Sequence, residues 1–177
     1  MAVGDWRLAI RLWLTAYCLL LTALGSCYSF TGSSLSPDTK TILIKNFPNN
    51  SALVNPTLSQ DFTTALQNMF LQRTSLKGTL EEPDILIEGQ IRDYSISPTS
   101  ISSNATNSAI ATQNKLVITV FVNYENKVEP EKNFSRTFSG EAIFSSDLDI
   151  NEIETAQVKI ANERIINQIF NEIVANW

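Results

Sequence analysis

Apolar and polar residues alternate in four stretches of the chain and recur with helical spacing in two. From Thr39 to Phe47, Ile42 and Ile44 fall on one face and Leu43 on the other, the signature of a short strand. Asn55-Pro56-Thr57 follows a break at Pro48-Asn49-Asn50, and Thr57 with Gln60 forms a capping-box pattern. Behind it Leu58, Phe62, Ala65, Leu66, Met69 and Phe70 repeat at intervals of three and four, predicting a helix that ends near Arg73. Asp84 to Ile96 reads as a second strand. Ile85, Ile87, Gly89 and Ile91 share one phase, Tyr94 and Ile96 take the other, and such a slip predicts a bulge or bend.

The polar stretch from Ser97 to Gln113 has no period and reads as a long loop. Lys115 to Asn126 is the strongest strand signal, and apolar residues in both phases (Leu116, Ile118 and Val120 against Val117 and Phe121) predict an interior position in the sheet. After a turn at residues 126–132, Asn133 to Phe144 predicts a fourth strand with Phe134, Phe138, Ala142 and Phe144 inward, and Gly140 at a point of close approach. Asp149 and Glu152 open a closing helix whose last turns carry Ile165, Ile166, Ile169, Phe170, Ile173, Val174 and Trp177. An amphipathic helix of this kind covers a sheet; its polar face lacks the Lys/Arg enrichment of a membrane-surface helix. The expected fold is α+β: a two-layer sandwich in the order β-α-β-β-β-α, two helices packed on one four-stranded sheet.

The N-terminus has a different logic. Arg7 and Arg11 precede an apolar run from Leu12 to Leu24, followed by Gly25, Ser26 and Cys27. The run falls short of the ~20 apolar residues that span a bilayer. It matches a secretory signal, and Leu24-Gly25-Ser26-Cys27 has the lipobox pattern, in which small residues admit a peptidase and the cysteine thiolate accepts a diacylglycerol. On this reading residues 1–26 are removed, Cys27 carries the acyl chains, residues 27–37 form a tether and 38–177 form the single domain. Two or three acyl chains anchor firmly where one does not. The competing reading is an ordinary secretory signal with Cys27 as an unmodified thiol. No acidic residue follows Cys27 to suggest retention in an inner membrane.

Charge and composition narrow the function. Lys and Arg total 13 and Asp and Glu 18, a net of −5, and removing residues 1–26 takes Arg7, Arg11 and Asp5 and leaves the domain slightly more acidic. A nucleic-acid partner calls for a basic surface, so that class is excluded. With no histidine in the chain, the commonest general base and catalytic metal ligand are missing. Of the two cysteines, Cys18 leaves with the signal and Cys27 becomes a thioether, so no disulfide is expected. No nucleophile elbow, P-loop or dinucleotide fingerprint occurs. Acidic pairs Glu81-Glu82 and Asp147/Asp149 fall at element boundaries, where carboxylates serve turns and helix starts. Ser146 to Asn151 alternates weakly like a calcium loop but lacks its Gly and distant Glu. No enzyme, metal or cofactor is expected.

Three segments together resemble the lipopolysaccharide-assembly lipoprotein family, LptE: Cys27-Tyr-Ser-Phe-Thr-Gly32 after the lipobox, Phe47-Pro-Asn-Asn-Ser-Ala-Leu-Val-Asn-Pro-Thr-Leu-Ser-Gln60, and the terminal Asn-Trp. The resemblance implies a non-enzymatic protein at the periplasmic face of the outer membrane. It implies an LptD-like outer-membrane β-barrel as partner, which such proteins plug and help assemble, lipopolysaccharide as cargo, and membrane attachment through Cys27. It carries no lipopolysaccharide-contacting residues onto this chain; Arg92 and Lys115 are candidates by charge alone, set against ordinary surface solvation. The alternatives are a stand-alone lipoprotein binding a small or glycan ligand, and a hydrolase with an unrecognised site.

Overall fold

The computed structural model describes residues 35–53, 55–100 and 112–174. The elements run β1 (Thr41–Ile44), α1 (Leu58–Arg73), β2 (Lys77–Gly78), β3 (Ile85–Ser100), β4 (Thr112–Asn126), β5 (Phe134–Ser145) and α2 (Ile150–Val174), with a 3-10 turn at Pro130–Lys132. They form a mixed five-stranded sheet in the order β2-β1-β3-β4-β5. β1 pairs in parallel with β2 and β3, and the β3-β4-β5 meander is antiparallel. The α+β class is as expected; the strand count is not. The fifth strand, β2, is two residues long, too short to show an alternation, and it exists because the chain leaving α1 runs back beside β1 at Thr41 and Ile42.

Apolar residues of one sheet face make the core. Ile85, Ile87, Ile91, Leu116, Ile118, Val120 and Val122 are fully buried there, and α1 and α2 supply Phe62, Leu66, Phe70, Ala161, Ile165 and Ile169. Phe47 closes one end against Phe62, edge to face at 5.2 Å. Burying a side chain of this size stabilises by ~1.5–3 kcal/mol, so this one face supplies most of the driving force for folding. Both helices lie on it.

The phase slip in the second strand is a bulge at Arg92, where the register passes from Ile91↔Val120 to Asp93↔Thr119. The extra residue returns Tyr94 and Ile96 to the core side. The loop expected over 97–113 is corrected at both ends: Ser97 to Ser100, and Thr112 and Gln113, belong to the paired ladder, and residues 101–111 lie outside those described. Ser, Thr and Asn pair adequately where a neighbouring strand supplies the hydrogen bonds, so composition alone misplaced the strand ends. Beyond the Asn49↔Ile91 bridge, β4 is the only strand partner of β3 among the described residues. Pro98 sits in that stretch, in the phase of Ile91, whose peptide groups bond Pro48 and Asn50 instead of β4. Its missing N–H therefore faces away from the ladder, which is where an edge strand tolerates proline.

The first helix is capped differently from the pattern expected. Thr57 has helical backbone angles and makes no side-chain cap. Asn55 does the capping: its Oδ1 accepts from the Leu58 N–H at 3.1 Å and the Thr57 N–H at 3.2 Å. Pro56 lies in the turn between Asn55 and the helix, where its missing N–H costs nothing. Ala65, expected inward, is exposed, and Thr63 is buried in its stead, accepting from the Phe47 N–H and donating to the Ser59 carbonyl. At α2 the expected start holds: Asp149 Oδ1 accepts from the Asn151 N–H at 2.9 Å. Trp177 lies outside the described residues.

Candidate functional site

With both helices on one face, no described element covers the other face of the sheet, and it holds a distinctive polar surface. Its side chains come in rows set by the register: Glu88, Asn123 and Ser135; Gln90, Phe121 and Thr137; Asp93, Thr119 and Ser139; Ser95, Val117 and Glu141; Ser97, Lys115 and Ile143. Hydroxyls and carboxamides dominate, and neighbours already bond one another. Ser135 Oγ donates to Asn123 Oδ1 at 2.6 Å, Thr119 and Ser139 hydroxyls lie 3.0 Å apart, and Asn50 Nδ2 donates to Gln90 Oε1 at 2.7 Å. Two of its carboxylates, Glu88 and Glu141, are paired with lysines. Lys45 Nζ lies 2.8 Å from Glu88, and this hydrogen bond, against a smaller opposing effect of burial, holds the Glu88 carboxyl below its ordinary pKa.

The two basic candidates both belong to this face but are not brought together. Arg92, the bulge residue, is exposed and places its guanidinium 4.1 Å from the Phe121 ring centroid, a cation–π contact. Lys115 lies 3.7 Å from Glu141. Five strand positions separate Val120, opposite the bulge, from Lys115, about 17 Å at strand rise. They do not form one anion site. Phe121 explains the double apolar phase of β4: the strand is interior to the sheet, and its second face is shielded by Arg92 in place of a further layer.

Sequence reasoning identified the inward positions of β5 but passed over their complement, Ser135, Thr137, Ser139 and Glu141, though alternation made it legible. Leu24, Gly25, Ser26 and Cys27 lie outside the described residues. Among the described residues no three His, Cys, Asp or Glu side chains cluster to hold a metal ion, and no helix is long and apolar enough to cross a membrane. Asp147 and Asp149 are engaged in the turn and cap before α2.

A family model for LptE, lipopolysaccharide-assembly, matches residues 39–175. The chain belongs to this family. Comparison with curated proteins finds no match. Among solved structures, a neuraminyllactose-binding hemagglutinin homolog from Helicobacter pylori aligns with a TM-score of 0.54 at 13% identity, over 82% of this chain and 89% of that one. That likeness is one of fold. A minor lipoprotein from Acinetobacter baumannii gives 0.48 at 16% identity, over 76% and 92% of the two chains. A hypothetical protein from Chlamydia trachomatis gives 0.49 at 8%, over 78% and 99%. The LptE assignment places the chain in lipopolysaccharide assembly.

Proposed function

We propose that this LptE-family chain is an outer-membrane lipoprotein, held at the periplasmic face by acyl chains on Cys27. In this reading it plugs the lumen of a large LptD-like β-barrel and helps it assemble and deliver lipopolysaccharide. Residues 1–26 act as the signal and 27–37 as the tether. The observation that carries the reading is the uncovered sheet face. A large barrel has a polar interior and needs filling. A sheet face rich in hydroxyls and amides, with Glu88 paired to Lys45 and Glu141 to Lys115, offers hydrogen bonds to such a wall while leaving few charges to be desolvated there. A protein of this kind acts by occupying space and templating its partner, and needs no catalytic group.

The test is purification of the full-length protein from detergent-solubilised membranes, with mass spectrometry of what accompanies it. The expected result is a near-stoichiometric outer-membrane barrel and an N-terminal peptide carrying acyl mass on Cys27. Recovery as a lone monomer overturns the plug. An unacylated Cys27 overturns the anchor. Cys27→Ser is expected to shift the protein from the membrane to the soluble fraction.

A further inference from the structure

On the opposite side of the molecule the outer shoulders of α1 and α2 enclose a cleft of about 330 Å³. Its floor is apolar, with Val158 and Ile166 buried. Its lip carries Asp61 from α1 and Glu163 from α2. Asp61 has no ion-pair partner among the described residues, and Glu163 has Lys159 at 4.0 Å. Within the lining sits Asn162, 5% exposed, whose carboxamide oxygen has no hydrogen-bond partner among the described residues. A buried acceptor left unpaired costs about 1–3 kcal/mol, and fold packing alone gives no reason to keep one in a helix stripe where Leu or Ala would serve. Asn162 lines the cleft, and rotation about its last side-chain bond, a broad torsion, exchanges the oxygen and nitrogen ends.

We propose that this cleft receives an arginine side chain from a protein partner. The complementarity is of three kinds. The two lip carboxylates outnumber the one lip ammonium, so the cleft favours a cation. Three acceptors, on Asp61, Glu163 and Asn162, suit the several fixed N–H donors of a guanidinium better than the single point of a lysine ammonium. Val158 and Ile166 give its aliphatic stem an apolar bed. The cleft lies on the helical side, away from the uncovered sheet face, so this contact is independent of how that face is used.

The experiment is titration of the full ¹⁵N-labelled chain in detergent with N-acetyl-arginine amide, with the citrulline and lysine analogues as controls, followed by amide chemical shifts. Saturable shifts confined to residues 55–65 and 155–166 are expected. Binding at least tenfold weaker is expected for citrulline, which keeps the shape and loses the charge, and weaker binding for lysine. Asn162→Leu and Asp61→Asn are each expected to weaken arginine binding threefold or more. Asp61 is exposed, so its substitution keeps the test informative if Asn162→Leu does not fold. Absence of saturable shifts, equal binding of the citrulline analogue, or affinity unchanged in Asp61→Asn overturns the proposal.

Discussion

Asp84 shows how one side chain fixes the entry into the sheet. Its Oδ2 accepts from the Lys40 N–H, the Thr41 N–H and the Thr41 hydroxyl, each at 2.9 Å. The two backbone hydrogen bonds, with that of the Thr41 hydroxyl, hold its carboxyl below the ordinary aspartate range. A carboxyl with a depressed folded pKa adds stability above its unfolded pKa, and this is lost as pH falls through the folded one. Asp84→Asn is therefore expected to cost about 1 kcal/mol at neutral pH, modest because solvent screens the site. It should also flatten the fall in stability below pH ~4; urea midpoints across that range measure both. Tyr94 works in the opposite sense. Its hydroxyl donates to Glu154, which also accepts from Asn55 Nδ2 at 2.9 Å. Burial first, and the Glu154 carboxylate second, raise the Tyr94 pKa well above its usual value. The folded state then holds a proton that the unfolded chain releases above pH ~10, so stability falls as pH rises through that point. Tyr94→Phe is expected to lose about 1 kcal/mol at pH 7 and to show a shallower alkaline decline.

At the scale of elements, α2 is fixed to the sheet by an absence. A Cβ on Gly140 would lie 2.2 Å from the Ala161 carbonyl oxygen and 2.8 Å from Ile165 Cγ1. The helix backbone rides directly on β5 there, and no rotamer change relieves contact with a carbonyl. Gly140→Ala is expected to force α2 away and cost about 1–3 kcal/mol, as overpacking does, read as a lower melting temperature. The same helix shields the β5 edge: Arg164 donates to the Glu141 carbonyl at 2.7 Å and Gln168 to the Ser139 carbonyl at 3.1 Å. An edge strand of 12 residues would otherwise offer those carbonyls to another chain. Removing both side chains together is expected to raise the tendency to self-associate, measured by light scattering, with little change in helix content.

For the whole molecule the two layers divide the work, the helical face giving stability and the bare sheet face meeting its surroundings. If that face contacts a barrel, placing a cation there should disturb assembly without unfolding the protein. Thr119 is paired with Ser139 on the open side and buries nothing large, so Thr119→Arg is expected to keep the melting temperature within about 2 °C, as surface changes do, while the co-purified barrel falls sharply. An unchanged barrel yield would show that another surface makes the contact.

Much of this was readable in order along the chain. The apolar alternation of β4 and β5, the phase slip at Arg92, the close approach at Gly140 and the Asp149 cap each express a local rule, because side-chain direction follows from backbone period over a few residues. What sequence could not supply depends on neighbours distant in the chain. β2 is a strand only because β1 lies beside it, and Ser97 to Ser100 is ladder because β4 runs back along it. Asn55 displaces Thr57 as the cap because Pro56 and Glu154 settle its position. The separation of Arg92 from Lys115, and the placing of Asp61 and Asn162 in the lining of one cleft, come from packing. Periodicity declares which residues are apolar and in which direction they face; only the assembled layers decide what each polar residue meets, since that contact is set by chain segments up to a hundred residues apart.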